Sequence, residues 1–258
     1  MNKKPSNIYE ANVKIDSEQT RLREFSWPYE VSIDLIGDII KDTLFLDIGA
    51  GSNTMLSEYI RAAGAKYIAL DSNRGFLGLQ ARSGAETVAG DLRQLPIDDN
   101  SFDVCHARFV LAHLGKDKAK GAKEAIRVVN RPGQVIFMDY DWTSAHGSEV
   151  FNGIRGLFCE HMLFDASFGA KLEGTVRSVL PEHAQLTTKR YALPKMTDYS
   201  LVLNLRGAAR VDLEIQDADK VVADQCNRLF DKLKHEADSA DPPGFYFPEI
   251  VAVVVEKE

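Results

Sequence analysis

Leu46-Asp47-Ile48-Gly49-Ala50-Gly51-Ser52-Asn53-Thr54 is the stretch whose reading decides the fold. An apolar run passes into two glycines, and a helical pattern follows from Met55. A strand that feeds a glycine turn and then a helix places backbone N–H groups and the positive end of a helix dipole beside a ligand. Gly49 allows the tight turn, and Gly51 lets the backbone approach the ligand closely. Asp71 closes the next apolar run, about 20 residues on, where a carboxylate can accept both hydroxyls of a ribose. A dinucleotide site would share these features. The third glycine of that motif is missing, however, with Thr54 in its place, which weakens the dinucleotide reading. Two more acids stand nearby: Asp47 inside the strand end, and Asp91 in the turn Gly90-Asp91-Leu92, where it is suited to read an adenine amino group.

Outward from this stretch, strand and helix alternate. Thr43–Ile48, Tyr67–Leu70, Glu86–Ala89, Phe102–Ala107 and Gln134–Tyr140 read as strands. Met55–Ala63, Phe76–Arg82 and Lys118–Val129 read as the helices between them, the last stopped by Asn130-Arg131-Pro132-Gly133. Short apolar strands alternating with helices predict an α/β fold, a doubly wound parallel sheet covered on both faces. Before it, residues 1–25 form a polar arm with a short helix around Ser17–Glu24. Ser26 is placed to cap a helix opening with Trp27-Pro28, whose apolar Trp27, Val31, Leu35 and Ile39 share one face. After Trp142 the rhythm changes. Glu149–Phe164, Leu172–Leu180, Asp198–Ala209 and Asp217–Ala237 are helical in pattern, and Gln185–Tyr191 is a strand. Phe245–Glu256 is the last strand, and Pro248 puts its first part at an edge or leaves it unpaired.

Composition sets the boundaries of function. The 258 residues are 45% hydrophobic and 27% charged, enough for a sizeable core and too apolar for a disordered chain. The net charge of −7 repels phosphate, so nucleic acid is not the expected partner. The local run Lys116, Lys118, Lys120 and Lys123 reads as a solvated helix face. No apolar run is long enough to span a bilayer, and no apolar stretch follows Lys3 and Lys4 as a secretory signal would require. Three cysteines without close spacing argue against disulfides and against a zinc site; a cytoplasmic protein is expected.

The ordered set of motifs resembles the class I S-adenosylmethionine-dependent methyltransferases, small-molecule branch. It is carried by Leu46–Gly51, Tyr67–Asp71, Gly90–Pro96, Ser101–Asp103, Phe109–Leu114 and Arg127–Gly133. The resemblance implies seven strands in the order 3-2-1-4-5-7-6, the last antiparallel, in a Rossmann-like fold over residues 43–258. It also implies a helical N-terminal arm, residues 1–42, closing the site and helical lid segments within 147–244. Carried over by position, it implies S-adenosyl-L-methionine as cofactor. Gly49, Ala50 and Gly51 would pass under its methionine part, Asp47 would orient the ammonium, and Asp71 with Ser72 would hold the ribose. Asp91 with Leu92 would frame the adenine, and Ala107 and Arg108 would face the methionine and sulfonium end. Ser52-Asn53 departs from the family pattern, where a small residue is usual.

Methyl transfer needs an aligned acceptor and a dry site more than it needs side chains, and a base only where the acceptor carries a proton of high pKa. His106, Asp139 and Tyr140 stand at the right strand ends for that role. A metal held by Asp139 and Asp141 is disfavoured because no third ligand is evident, whereas Asp141 can contact substrate. Tyr9, Trp27 and Tyr29 offer aromatic walls for the substrate, and Arg21 a guanidinium for the cofactor carboxylate. Phe158, Phe164 and their aromatic neighbours within 147–244 fit a lid over an apolar acceptor. His113 reads as a capping or packing residue, and Arg108 as the partner of a carboxylate. The expected activity is methyl transfer to O, N or C of a small metabolite. Alternatives are cyclisation or another alkyl transfer on the same fold, an NAD-type oxidoreductase, and a non-catalytic cofactor-binding protein.

Overall fold

A computed structural model describes residues 25–52 and 54–258; the expected helix at Ser17–Glu24 lies outside them. Helix α1 (Trp27–Ile36) precedes strand β1 (Leu44–Ile48), then α2 (Met55–Ala62), β2 (Lys66–Asp71), α3 (Arg74–Arg82) and β3 (Glu86–Ala89). Strand β4 (Phe102–Arg108) leads through short 3₁₀ turns to α4 (Lys118–Arg127) and β5 (Val129–Asp141). There follow α5 (Glu149–His161), α6 (Gly169–Arg177), β6 (Ala184–Tyr191), α7 (Ser200–Ile215), α8 (Lys220–Ala237) and β7 (Glu249–Lys257).

The seven strands form one sheet in the order β3-β2-β1-β4-β5-β7-β6. The pairs from β3 to β5 are parallel, whereas β7 runs antiparallel to both its neighbours. This is the doubly wound arrangement that the alternation of apolar strands and helices requires.

Side-chain alternation sorts each strand between two layers. Leu46, Ile48, Cys105, Ala107, Val135 and Phe137 face the layer of α4 and α6, packing with Ala122, Ala125, Leu172 and Val176. Phe45, Tyr67 and Ala69 face α2 and α3 with Leu56, Ile60 and Leu77. On the same side, Ile136, Met138, Ile250 and Val254 receive Val31 and Leu35 of α1. A third apolar cluster joins α5, α7 and α8 to Trp142 and the 245–247 segment through Phe151, Phe158, Leu213, Phe230 and Phe247. Within residues 147–244, α6 and β6 therefore belong to the sheet layers, and α5, α7 and α8 form the cluster beside the strand ends.

Several boundaries differ from the sequence reading for identifiable reasons. The helix expected to run to Val129 ends at Arg127, and β5 begins at Val129, because Val129 pairs with Phe102 of β4. Phe245 and Tyr246 make only isolated bridges, to Met196 and His146, and continuous pairing starts after Pro248 at Glu249. Ser26 does not cap α1 with its side chain; its hydroxyl donates to Glu30 at 2.7 Å instead.

Candidate active site

A cavity of about 560 Å³ opens at the carboxyl ends of β1, β2, β4 and β5, where a parallel sheet presents loops to ligands. Its floor is the glycine turn. Gly49 and Gly51 both have left-handed backbones, φ +67° and +62°. A Cβ on Gly49 would collide with Val110 Cγ2 on a left-handed backbone, so that position disfavours any side chain. A Cβ on Gly51 would enter open space on the cavity side, with only the Gly49 carbonyl oxygen, at 3.9 Å, nearby.

The turn's amides are committed inside the protein, contrary to the expectation that they face a ligand. Gly49 and Ala50 N–H both donate to the Leu70 carbonyl, at 2.7 and 3.1 Å. Gly51 N–H donates to Asp71 Oδ2 at 3.0 Å, and Asn73 N–H donates to Oδ1 at 2.8 Å. These bonds fix the Asp71 carboxylate at the end of β2 while each oxygen keeps accepting capacity toward the cavity. Burial pushes its pKa up, and the backbone donors oppose the rise. Ser72 and Leu92 also line the cavity. Asp91 lines it too, but its carboxylate is clasped by Arg93 with N···O distances of 2.6 to 3.0 Å, which lowers its pKa. An adenine amino group would have to share Asp91 with Arg93.

Arg108 reaches the cavity from the end of β4, with its guanidinium carbon 3.6 Å above the centre of the Tyr29 ring. Its Nη1 is buried without a hydrogen-bond partner among the described residues, and no carboxylate there lies within ion-pair distance of it. Burial of a charged Nη1 without a counter-charge among the described residues is costly, which favours an anionic partner at this position. Phe109, next along, has φ +57°, an unusual conformation for a non-glycine residue, and stacks on Tyr140 with centroids 4.1 Å apart.

The other end of the cavity is aromatic. Trp142 stacks on Phe158 at 4.6 Å, and Phe164, Phe247, Leu201 and Leu205 complete the wall. Asp139 lines this end although its residue is only 4% exposed. Its oxygens accept N–H bonds from Ala112 and Tyr140, both at 3.2 Å, and burial pushes its pKa up to about 8. His113, expected to be a capping or packing residue, also faces the cavity, and burial holds its pKa down to about 4.

Five expected site residues among those described are placed elsewhere. Strand alternation turns Asp47 and His106 to the α1 side of the sheet, where His106 Nδ1 meets Asp47 Oδ1 at 2.8 Å and its Nε2 meets Ser32 Oγ at 3.0 Å. Tyr67 donates to Asp47 Oδ2 at 2.5 Å. With both ring nitrogens engaged and no exposure, His106 does not reach the cavity, and neither does Asp47. Ala107 is buried among the core side chains opposite. Asp141 accepts from the Thr143 amide and hydroxyl and pairs with Arg190, so its carboxylate is spent on the turn after β5. Trp27 packs on Phe25 and the apolar clusters behind the cavity, whereas Tyr29 lines it. Tyr9, Arg21 and Asn53 lie outside the described residues. Among the described residues no cluster of three or more His, Cys, Asp or Glu could hold a metal ion.

Residues 46–137 match the family described as methyltransferase domain. A demethylmenaquinone methyltransferase of Renibacterium salmoninarum is 29% identical over 133 residues, 51% of this chain and 52% of that protein. The chain thus spans about half the length of the curated relatives it matches first. Among solved structures, phosphoethanolamine N-methyltransferase 2 of Haemonchus contortus superposes with a TM-score of 0.59 at 15% identity, covering 98% of this chain and 61% of that one. The [4+2]-cyclase SpnF superposes with a TM-score of 0.53 at 13% identity, covering 87% and 78%. These two likenesses concern the fold alone. The family match covers the part of the chain that carries most of β1, all of β2 to β4, most of β5 and the glycine turn facing Asp71.

Proposed function

We propose that the protein is an enzyme that uses S-adenosyl-L-methionine to methylate a small metabolite. The observation that carries this reading is the Asp71 carboxylate, held by the Gly51 and Asn73 amides at the mouth of a cavity whose far wall is aromatic. The residues present fit the cofactor. The open space beside Gly51 is the cradle that a Cβ would fill, and Arg108 Nη1, without a partner among the described residues, suits a carboxylate. Asp71 would accept the ribose hydroxyls, Leu92 would flank the adenine, and Arg108 would neutralise the amino-acid carboxylate. When bound, the cofactor supplies a methyl group already activated on a sulfonium.

The chain's own part is to bind, orient and keep water out. Arg108 stands between the turn and the aromatic wall, with its guanidinium carbon 3.6 Å over the Tyr29 ring and 5.9 Å from the centre of the Phe109 ring. The aromatic end would seat the acceptor. Asp47 and His106 act as positioning residues: they join β1 and β4 to α1, which carries Tyr29. All three cysteines are free thiols, which supports a reducing, cytoplasmic setting. A small-molecule acceptor, with neither nucleic acid nor membrane as partner, agrees with the family and with the net charge of −7.

Incubation with labelled S-adenosylmethionine and a panel of small acceptors, followed by mass spectrometry, tests the reading. Labelled methyl on an acceptor upholds it. A cofactor-derived product formed without any acceptor would replace it with a cyclisation or other transfer on the same fold.

Two substitutions probe the cofactor end. Asp71→Ala removes the acceptor for two ribose hydroxyls and should weaken S-adenosylhomocysteine binding by about 2–3 kcal/mol in calorimetry. Unchanged affinity would remove Asp71 from the site. Arg108→Met should cost cofactor affinity on the order of 10- to 100-fold, and Arg108→Lys less, because the charge survives while the planar fork is lost. A loss confined to turnover would assign Arg108 to an acidic acceptor instead.

A further inference from the structure

Within the reading above, we infer that Phe109 is a positioning residue: its ring holds the Arg108 guanidinium where the cofactor carboxylate meets it. The observation behind this is a break in the strand pattern. Along β4, Cys105 and Ala107 face the layer of α4 and α6, whereas Val104 and His106 face α1. Arg108 continues the second set, because its guanidinium carbon lies over the ring of Tyr29 on α1. Strict alternation would send Phe109 to the α4 and α6 side, after Ala107. Instead Phe109 packs on the α1 side against the cluster of Ile136 and Met138, and Val110 joins the opposite core. Two consecutive side chains, Arg108 and Phe109, thus share one face of the sheet, which a regular strand does not allow.

The left-handed backbone of Phe109, φ +57°, makes this possible. Its amide still donates to the Met138 carbonyl at 2.8 Å, so β5 holds the chain up to the kink. The other non-glycine residues with positive φ among those described are Asp42, Asn100 and Asp217, types that tolerate the conformation. Phenylalanine does not, and glycine would adopt it freely. A bulky ring kept at such a position has a use that glycine cannot serve.

That use is legible in the contacts. The Phe109 ring is anchored by its stack on Tyr140, with centroids 4.1 Å apart, and Tyr140 meets the edge of Phe247 at 5.6 Å. So anchored, it lies 5.9 Å from the Arg108 guanidinium carbon, while the Tyr29 ring lies at 3.6 Å. Both rings are within cation–π reach, about 6 Å. Arginine has several rotatable bonds, and two rings that hold it before the ligand arrives lower the ordering cost of binding. The same kink sets Val110 against Gly49, so one left-handed residue fixes both the guanidinium and the glycine turn.

The test compares two ligands by calorimetry on the full chain. S-adenosylhomocysteine carries the amino-acid carboxylate; methylthioadenosine has the same nucleoside and thioether without it. Phe109→Leu should weaken S-adenosylhomocysteine by about 5- to 30-fold and leave methylthioadenosine within about twofold. Phe109→Tyr keeps the ring and should bind both as the wild type does. Phe109→Gly accepts the left-handed backbone but lacks the ring, and should lose S-adenosylhomocysteine as Phe109→Leu does. Beside Arg108→Met, Phe109→Leu should cost no more than about twofold further, because the group it acts through is gone. Equal losses for both ligands, wild-type affinity in Phe109→Gly, or an undiminished effect beside Arg108→Met overturns the inference. If Phe109→Leu does not fold, Phe109→Gly replaces it in each comparison; if neither folds, Phe109 is a residue of the core and the inference is overturned. If methylthioadenosine binds too weakly to measure, the comparison beside Arg108→Met decides alone. Failure of the wild type to bind S-adenosylhomocysteine sinks the methyltransferase reading itself, whereas the other adverse outcomes sink only the role of Phe109.

Discussion

Asp47→Ala is expected to lower the stability of the folded chain by about 3–5 kcal/mol, a large part of what holds an ordinary domain together. Asp47 is 3% exposed and serves two partners at once, His106 Nδ1 at 2.8 Å and Tyr67 Oη at 2.5 Å. Truncation leaves both buried donors with nothing to bond and opens a hole between β1, β2 and β4. Desolvation of each orphaned group, not the lost contact itself, supplies most of the cost. Asp47→Asn keeps one acceptor and should cost roughly half as much. Urea unfolding followed by circular dichroism measures both. If Asp47→Ala unfolds within about 1 kcal/mol of the wild type, the network is not what joins these strands. The loss should also reach the cavity, because Ser32 of α1 bonds to His106, and α1 places Tyr29 under Arg108.

Asp139→Asn should act in the opposite sense, and increasingly so as pH rises. The folded chain holds the Asp139 proton up to about pH 8, because burial penalises the carboxylate. In the unfolded chain the same group releases it near pH ~4. Between those values the folded state binds the extra proton, so stability falls with pH by up to about 1.4 kcal/mol per unit from this group. This contribution is fully present below pH ~4 and gone above about 8. His113 works against it over part of the range. Its folded pKa, held down to about 4, lies below the unfolded value near ~6.5, so it adds stability as pH rises from 4 to 6.5. The two slopes offset each other up to about pH 6.5, and Asp139 alone acts from there to 8. Asp139→Asn cannot titrate, so its stability relative to wild type should climb across pH 4 to 8 by on the order of 5 kcal/mol. Denaturation midpoints at pH 5, 6.5 and 8 check this. A constant offset would place Asp139 in contact with solvent.

The sheet was legible because β1, β2 and β3 are short runs closed by Gly49, Asp71 and Gly90, and because the βα alternation leaves one usual winding. The reading failed at Val129, whose apolar character continues a helical pattern as well as it starts a strand; only its pairing with Phe102 separates the two. Asp71 and the glycine turn were legible through their spacing. The fate of Asp47, His106 and Asp141 was not. A polar residue near a strand end reads as a ligand-facing group, and the partners that claimed these three come from distant segments: Ser32, Tyr67 and Arg190. His113, read as a packing residue, packs on Phe164 and also lines the cavity, which no neighbour in sequence announces. The left-handed backbone of Phe109 carries no sequence signal at all.

The position of β7 has a consequence for synthesis. This strand follows every other strand in the chain, yet it lies between β5 and β6 and is the sheet partner of both. While the polypeptide emerges from the ribosome, β1 to β5 can pair as they appear, but β6 has no sheet partner until residues 249–257 are made. Until then Ile136 and Met138 on β5 lack the β7 side chains, Ile250, Ala252 and Val254, that pack beside them under α1. The nascent chain therefore carries an open, apolar strand edge through the translation of α5 to α8, the kind of surface that chaperones bind and that aggregation exploits.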